Sequence, residues 1–246
     1  MLTDFMRAVG LLTVVPAWRD ATDRPLGHSF AWYPLVGGLI GVGLALLAQL
    51  PIAPNVGAFL LLLAWVAVTG GLHLDGLGDA CDGLLATVAP ARRLEIMKDP
   101  RAGSWAVLGI GMLLLGKFAA LSTLHGHAAA TAVLLVAPVV GRWGMVFAAY
   151  RFAPARPGGM GALFRTGLGR RELTVASATA LLWLAAAAWI APQVWVALLI
   201  APLLVIVMGA WAARRLGGGL TGDTYGALCE MIELVCVLGV ALWPVA

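Results

Sequence analysis

The sequence predicts an all-α, polytopic integral membrane helical bundle: about seven transmembrane helices preceded by an N-terminal interfacial helix. Three observations carry that prediction. The 246 residues are 61% hydrophobic and only 11% charged, with a mean hydropathy of +0.94, whereas soluble domains carry about 25% charged residues. The apolar runs are continuous rather than alternating, which excludes a transmembrane β-barrel. The Lys and Arg residues fall on alternate loops, as the positive-inside rule requires of a multi-pass protein.

The elements follow in order. Residues 5–18 form a weakly apolar segment flanked by Asp4 and Arg19. It is shorter than the roughly 20 residues that cross a bilayer, so an amphipathic helix lying in the interface is expected. Asp20, Asp23, Arg24 and Pro25 then make a polar link, and no signal-peptide pattern is present. The first span, 30–50, carries Gly37, Gly38, Gly41 and Gly43, small residues that allow close helix approach. The second, 56–74, runs into an acidic stretch. The third and fourth, 104–124 and 128–150, carry Lys117 and Arg142. The fifth and sixth are 173–191 and 193–213. The seventh, 225–243, carries Glu230 and Glu233.

Loops 51–55 and 125–127, and Pro192, lack Lys and Arg. Arg7, Arg19, Arg24, Arg92, Arg93, Lys98, Arg101, Arg151, Arg156, Arg165, Arg170, Arg171, Arg214 and Arg215 all fall on the other side. That places the N-terminus inside and the C-terminus outside a cell (inner) membrane. The net charge of +4 thus reports topology, and no nucleic-acid partner is expected. Cys81, Cys229 and Cys236 show no CxxC spacing, so neither a disulfide framework nor a zinc site is expected. No internal repeat is evident and no segment is long enough to fold as a separate soluble domain. Residues 1–246 are therefore read as a single transmembrane catalytic domain.

Chemistry concentrates in residues 70–83, Gly70-Gly71-Leu72-His73-Leu74-Asp75-Gly76-Leu77-Gly78-Asp79-Ala80-Cys81-Asp82-Gly83. On a helix, Asp75, Asp79 and Asp82 fall at i, i+4 and i+7, within an arc of roughly 60°. Three carboxylates on one face at the cytoplasmic mouth of span two suit Mg²⁺, which takes oxygen ligands and keeps positions open for phosphates. Their spacing suits two ions sharing Asp79. Gly76, Gly78 and Gly83 are expected to leave room for a phosphate beside the backbone. His73 points away from the acidic face and is left out of the ligand set.

Basic residues meet this site from three directions. Arg93, Lys98 and Arg101, with Ser104, form a candidate phosphate-binding lid. Arg142, well inside its span, requires a partner or a watery cavity, and Arg156 opens the glycine-rich run 156–161. Residues 217–226 bring Asp223 into the last span ahead of Glu230 and Glu233. These two acids either pair with Lys117 or Arg142 or serve as additional acidic ligands or a general base.

The run 71–83, then 93–104 with Arg93, Lys98, Arg101 and Ser104, then Ala155-Arg156-Pro157-Gly158-Gly159, then Gly218-Gly219-Leu220-Thr221-Gly222-Asp223-Thr224-Tyr225-Gly226-Ala227 resembles the cobalamin 5′-phosphate synthase family. These motifs arrive in the family's order across nearly the whole chain. Cys81 and Pro100 are mild departures from it. The acidic motif also bears a looser likeness to the CDP-alcohol phosphotransferases. The resemblance implies a Mg²⁺-dependent transferase that joins adenosylcobinamide-GDP to α-ribazole or its 5′-phosphate and releases GMP. Asp75, Asp79 and Asp82 would be the metal ligands. Arg93, Lys98, Arg101, Ser104, Arg142, Arg156 and Asp223 would bind substrate. Asp82, Glu230, Lys98 and Arg101 would act in catalysis, with one of the clustered aspartates or Glu230 as candidate base. The partners are then those two substrates and the lipid bilayer, with association with other corrinoid-assembly enzymes and homo-oligomerisation left open. The rival reading is a transporter of a cation or corrinoid precursor, its pathway lined by Lys117, Arg142, Glu230 and Glu233.

Overall fold

The computed structural model describes residues 1–17 and 24–243. Trp18, at the end of the expected interfacial segment, and Arg19, Asp20 and Asp23 of the polar link lie outside the described residues. The first helix, α1 (Leu2–Leu12), begins earlier than expected and buries Ala8 and Leu12 on one side. Its buried Asp4 pairs with the Met1 amino group at 3.3 Å and with Arg24 at 3.1 Å. Arg7 donates to the Arg24 carbonyl at 2.7 Å. These contacts dock α1 on the chain that leads into the bundle.

A 3-10 helix, Leu26–Trp32, runs directly into α2 (Tyr33–Leu47). Three of the four glycines of α2 allow close helix approach, as small residues in a span are expected to do, while Gly43 meets no neighbour. A Cβ on Gly41 would lie 2.6 Å from the Leu134 carbonyl, Gly37 meets the backbone of Pro138, and Gly38 meets the Trp183 ring. Next comes α3 (Pro54–Thr69). The second span does not continue to residue 74 as expected. Gly70 and Gly71 adopt φ of 61° and 70°, a left-handed conformation that ends a helix and is natural to glycine. The chain turns by 89° there into α4 (Leu72–Leu85). The acidic stretch is therefore a helix of its own, set across α3 rather than extending it.

The short α5 (Pro90–Ile96) leads to α6 (Ser104–Leu124) and α7 (Ala128–Arg151). Helix α7 is the central post, with 83% of its apolar window buried. The chain continues through α8 (Met160–Arg165), α9 (Arg170–Ala188), a 3-10 turn (Pro192–Val196) leading into α10 (Ala197–Arg215), and α11 (Gly222–Ala241). Among the described residues the one β contact is an isolated parallel bridge, Pro154 with Leu220. Through it Ala155 N–H donates to the Leu220 carbonyl and Leu220 N–H to the Ala153 carbonyl, each at 2.8 Å. It ties the loop carrying Arg156 to the glycine run that precedes α11.

The protein is a multi-pass helical membrane protein. Among the described residues, five helical stretches are long and apolar enough to cross a bilayer, or six if α3 and α4 count as one bent span. The expected count of seven is not reached on that measure because α9 is not among them. Its first three residues are Arg170, Arg171 and Glu172, and alanine supplies much of the remainder, so its apolarity is weak. All three cysteines are free.

Candidate active site

Helix α4 carries Asp75, Asp79 and Asp82 on one face, as the spacing requires, with Asp75 exposed and the other two half-buried. Its glycines do not make room for a phosphate; neighbouring helices fill that space. A Cβ on Gly76 would lie 3.1 Å from the Asp223 carbonyl, and one on Gly78 would lie 3.1 Å from Ile110 and 3.3 Å from Ala106. Gly83 meets Met97 and the Arg93 carbonyl. The glycines thus bring α4 into close contact with α11 and α6. The Gly76 contact sets Asp223 beside the acids of α4.

Asp223 thereby becomes a fourth carboxylate of the cluster. It sits in the first turn of α11, where the helix dipole favours negative charge, behind a Thr221–Thr224 capping box. Burial and the charges of Asp223, Asp75 and Asp82 push the Asp79 carboxyl up to about 6. Four carboxylates so placed favour a cation. Among the described residues no three acidic, His or Cys side chains converge as a closed metal cage. Mg²⁺ does not require one, since one or two carboxylates with substrate phosphates suffice.

Asp82 has a second task. Its Oδ2 accepts from Gly103 N–H at 2.7 Å and its Oδ1 from Ala106 N–H at 2.9 Å, so it caps the start of α6. Arg93 is not free for substrate. It is 7% exposed and donates to the Gly83 and Leu84 carbonyls at 3.0 and 2.7 Å, closing the C-terminal end of α4. Lys98 and Ser104 are exposed beside this loop. Arg101 is also exposed, but forms a two-point pair with Asp99, Nε to Oδ1 at 2.9 Å and Nη2 to Oδ2 at 2.7 Å. That pair holds the Asp99 carboxyl down to about 2. Arg156 donates to the Leu94 carbonyl at 3.3 Å, and its charge is felt by Asp223.

Glu230 and Arg142 are placed elsewhere. Lys117 Nζ lies 2.7 Å from Glu230 Oε2 and 2.6 Å from Glu233 Oε2, and Arg142 pairs with Glu233 Oε1. All four side chains are at most 8% exposed. Glu230 is seven residues along α11 from Asp223, about 10 Å of rise. Glu230, expected as a base, and Arg142, expected as a substrate ligand, are thus engaged in a buried group in which two cations and two anions neutralise one another.

A cavity of about 290 Å³ adjoins the acids, and both Asp75 and Asp223 line it. So does His73, 2% exposed. Helical period describes one face of α4 at a time, so it does not reveal that His73 shares a cavity with Asp75. The contribution of α1, through Gly10, Leu11 and Leu12, had no signal in the sequence, since it depends on where that helix docks.

Residues 4–241 match the family model described as Cobalamin-5-phosphate synthase. The chain is 38% identical over 240 residues to an adenosylcobinamide-GDP ribazoletransferase of Roseiflexus sp. (strain RS-1), covering 96% of this chain and 88% of the relative. It is 37% identical to the protein so named in Herpetosiphon aurantiacus, over 98% of this chain and 97% of that one. The one from Pseudomonas fluorescens is 40% identical, over 97% and 99%. No solved structure matches the chain. A match over residues 4–241, with relatives of 37–40% identity across nearly the whole chain, shows that the chain belongs to the cobalamin-5-phosphate synthase family.

Proposed function

We propose that this chain is a transferase that joins adenosylcobinamide-GDP to α-ribazole or its 5′-phosphate and releases GMP. The observation that carries the reading is that Asp75, Asp79 and Asp82 share one face of α4 and are near enough to Asp223 of α11 for their charges to act on one another, beside Arg156, in a chain of this family. A ribose hydroxyl oxygen forms a bond to the phosphorus that bears the cobinamide arm. The bond from that phosphorus to the bridging pyrophosphate oxygen breaks, and GMP leaves with the electron pair. A carboxylate of the cluster takes the hydroxyl proton. Arg156 and Lys98 provide positive charge for the phosphates. Arg101 joins them once it releases Asp99.

The carboxylate donor set suits Mg²⁺, held by Asp75, Asp79 and Asp82 with Asp223 alongside. When bound, Mg²⁺ neutralises pyrophosphate charge and favours departure of GMP. The membrane is a bacterial inner membrane in this reading, with the N-terminus and the acids on the cytoplasmic face and the C-terminus outside. That orientation rests on the basic loops and requires α9 to cross.

The test uses purified full-length protein in detergent with both substrates and titrated Mg²⁺. GMP and the joined corrinoid are expected in equal amounts, falling to background on chelation. Asp79→Asn is expected to abolish both products while the protein keeps its elution profile and melting temperature. Uptake of a corrinoid into proteoliposomes without GMP release would replace this reading with the transporter.

A further inference from the structure

The proposed transferase has two substrates of very different size, and the fold offers one of them a place. Resting on that reading, we propose that the cavity of about 290 Å³ between α1, α2, α4, α7, α8 and α11 is the subsite for the base of the nucleoside substrate. The base it fits is flat and largely apolar with one acceptor ring nitrogen, and the His73 imidazole donates a hydrogen bond to that nitrogen.

Size supports the first half of the assignment. Pockets for drug-sized ligands span about 300–1,000 Å³. This cavity is at the bottom of that range, enough for a small nucleoside and far too small for a corrinoid ring with its side chains. The walls point the same way. Leu11, Leu12, Tyr33, Met145, Met160 and Phe164 line it, and Leu12, Tyr33 and Met145 are all at most 5% exposed. A benzimidazole-type base has little polar edge to leave unpaired against such walls. Guanine has exocyclic amino and carbonyl groups and a ring N–H; its donors find acceptors only at Asp75 and Asp223, the groups this reading gives to the ribose, and its carbonyl loses water against the apolar walls. The walls therefore favour the benzimidazole-type base over guanine.

The second half rests on His73. Its side chain is buried in the cavity wall, and Nε2 is buried with no hydrogen-bond partner. Buried polar groups are nearly always paired, and a neutral imidazole carries one N–H donor. A ring-nitrogen acceptor on the ligand supplies the missing partner. Asp75 and Asp223 line the same cavity, so a base seated among the apolar residues leaves its ribose at the carboxylates, where the attacking hydroxyl is needed. Helix α1 then forms a wall of the nucleoside subsite.

The test measures binding and turnover separately, with full-length protein in lipid nanodiscs. α-Ribazole alone and adenosylcobinamide-GDP alone are titrated calorimetrically, and GMP release is followed with both present. Met145→Trp, which fills the cavity, is expected to weaken α-ribazole at least about tenfold and to leave adenosylcobinamide-GDP within about twofold. Leu11→Trp, on the less buried α1 wall, is expected to act likewise and serves if Met145→Trp fails to fold. His73→Phe is expected to cost α-ribazole up to about tenfold, the scale of one hydrogen bond, with His73→Gln recovering most of it. An indole analogue, lacking the acceptor nitrogen, is expected to bind wild type and His73→Phe equally. Unchanged α-ribazole affinity in the cavity variants, or equal losses for both ligands, overturns the subsite while GMP release keeps the transferase reading. Nucleoside binding that is sensitive to Met145→Trp, without GMP release by the wild type, keeps the subsite and overturns the transferase.

Discussion

Glu230→Gln tests whether the first of the two buried acids in the last helix is structural or chemical. Lys117, Arg142, Glu230 and Glu233 carry two positive and two negative charges, with Lys117 within 2.7 Å of each acid. Glu230→Gln leaves a net positive charge among side chains at most 8% exposed, and Lys117→Met leaves a net negative one. Breaking a buried ion pair by removing one partner costs about 3–5 kcal/mol, so each single variant is expected to lose that much stability. The double variant restores neutrality and leaves Arg142 with Glu233, so its loss is expected to be smaller than the sum of the singles by about 1–3 kcal/mol. Unfolding in mixed micelles, read by tryptophan fluorescence, measures all four corners of the cycle. GMP release per folded molecule is the companion assay, and the double variant is expected to turn over within a fewfold of wild type. A Glu230→Gln protein that is as stable as wild type yet inactive would refute the structural assignment and return Glu230 to the reaction.

Arg93→Ala removes two charge-assisted hydrogen bonds from the end of α4; it is expected to destabilise the protein by about 2–3 kcal/mol in chemical unfolding, with Arg93→Lys partly rescuing it. Gly70→Ala places a Cβ at φ 61° and is expected to cost about 1–2 kcal/mol, seen as a lower melting temperature with the KM for both substrates little changed. Gly76→Ala pushes α4 from α11 at Asp223, so Mg²⁺-dependent GMP release is expected to fall at least about tenfold, more than its stability loss explains. Asp82→Ala is expected to lose about 1 kcal/mol from the uncapped α6 as well as activity, whereas Asp79→Asn is expected to lose activity alone.

Much of this site was legible along the chain. The face shared by Asp75, Asp79 and Asp82 follows from helical period alone, and α4 has that period. The entry of Asp223 into the last helix was visible in the run Thr221-Gly222-Asp223-Thr224. The meaning of Gly76, Gly78 and Gly83 was not, because a missing side chain looks the same whether a ligand or a neighbouring helix occupies the space. The partners of Arg93, Arg101 and Arg142 were not legible for a related reason: a cation announces a need for an anion or carbonyl, not which one it finds.

The sequence by itself determined the class of protein, its membrane residence, the family and the acidic face, because hydrophobicity, charge bias and helical period are local properties summed along the chain. The tertiary structure decided three further things: that α4 turns 89° away from α3, that Glu230 belongs to Lys117 rather than to the aspartates, and that His73 shares a cavity with Asp75 and Asp223. Each depends on the docking and rotation of helices far apart in sequence. In a bundle where most residues are apolar, close packing sets those choices, and no single helix contains the information.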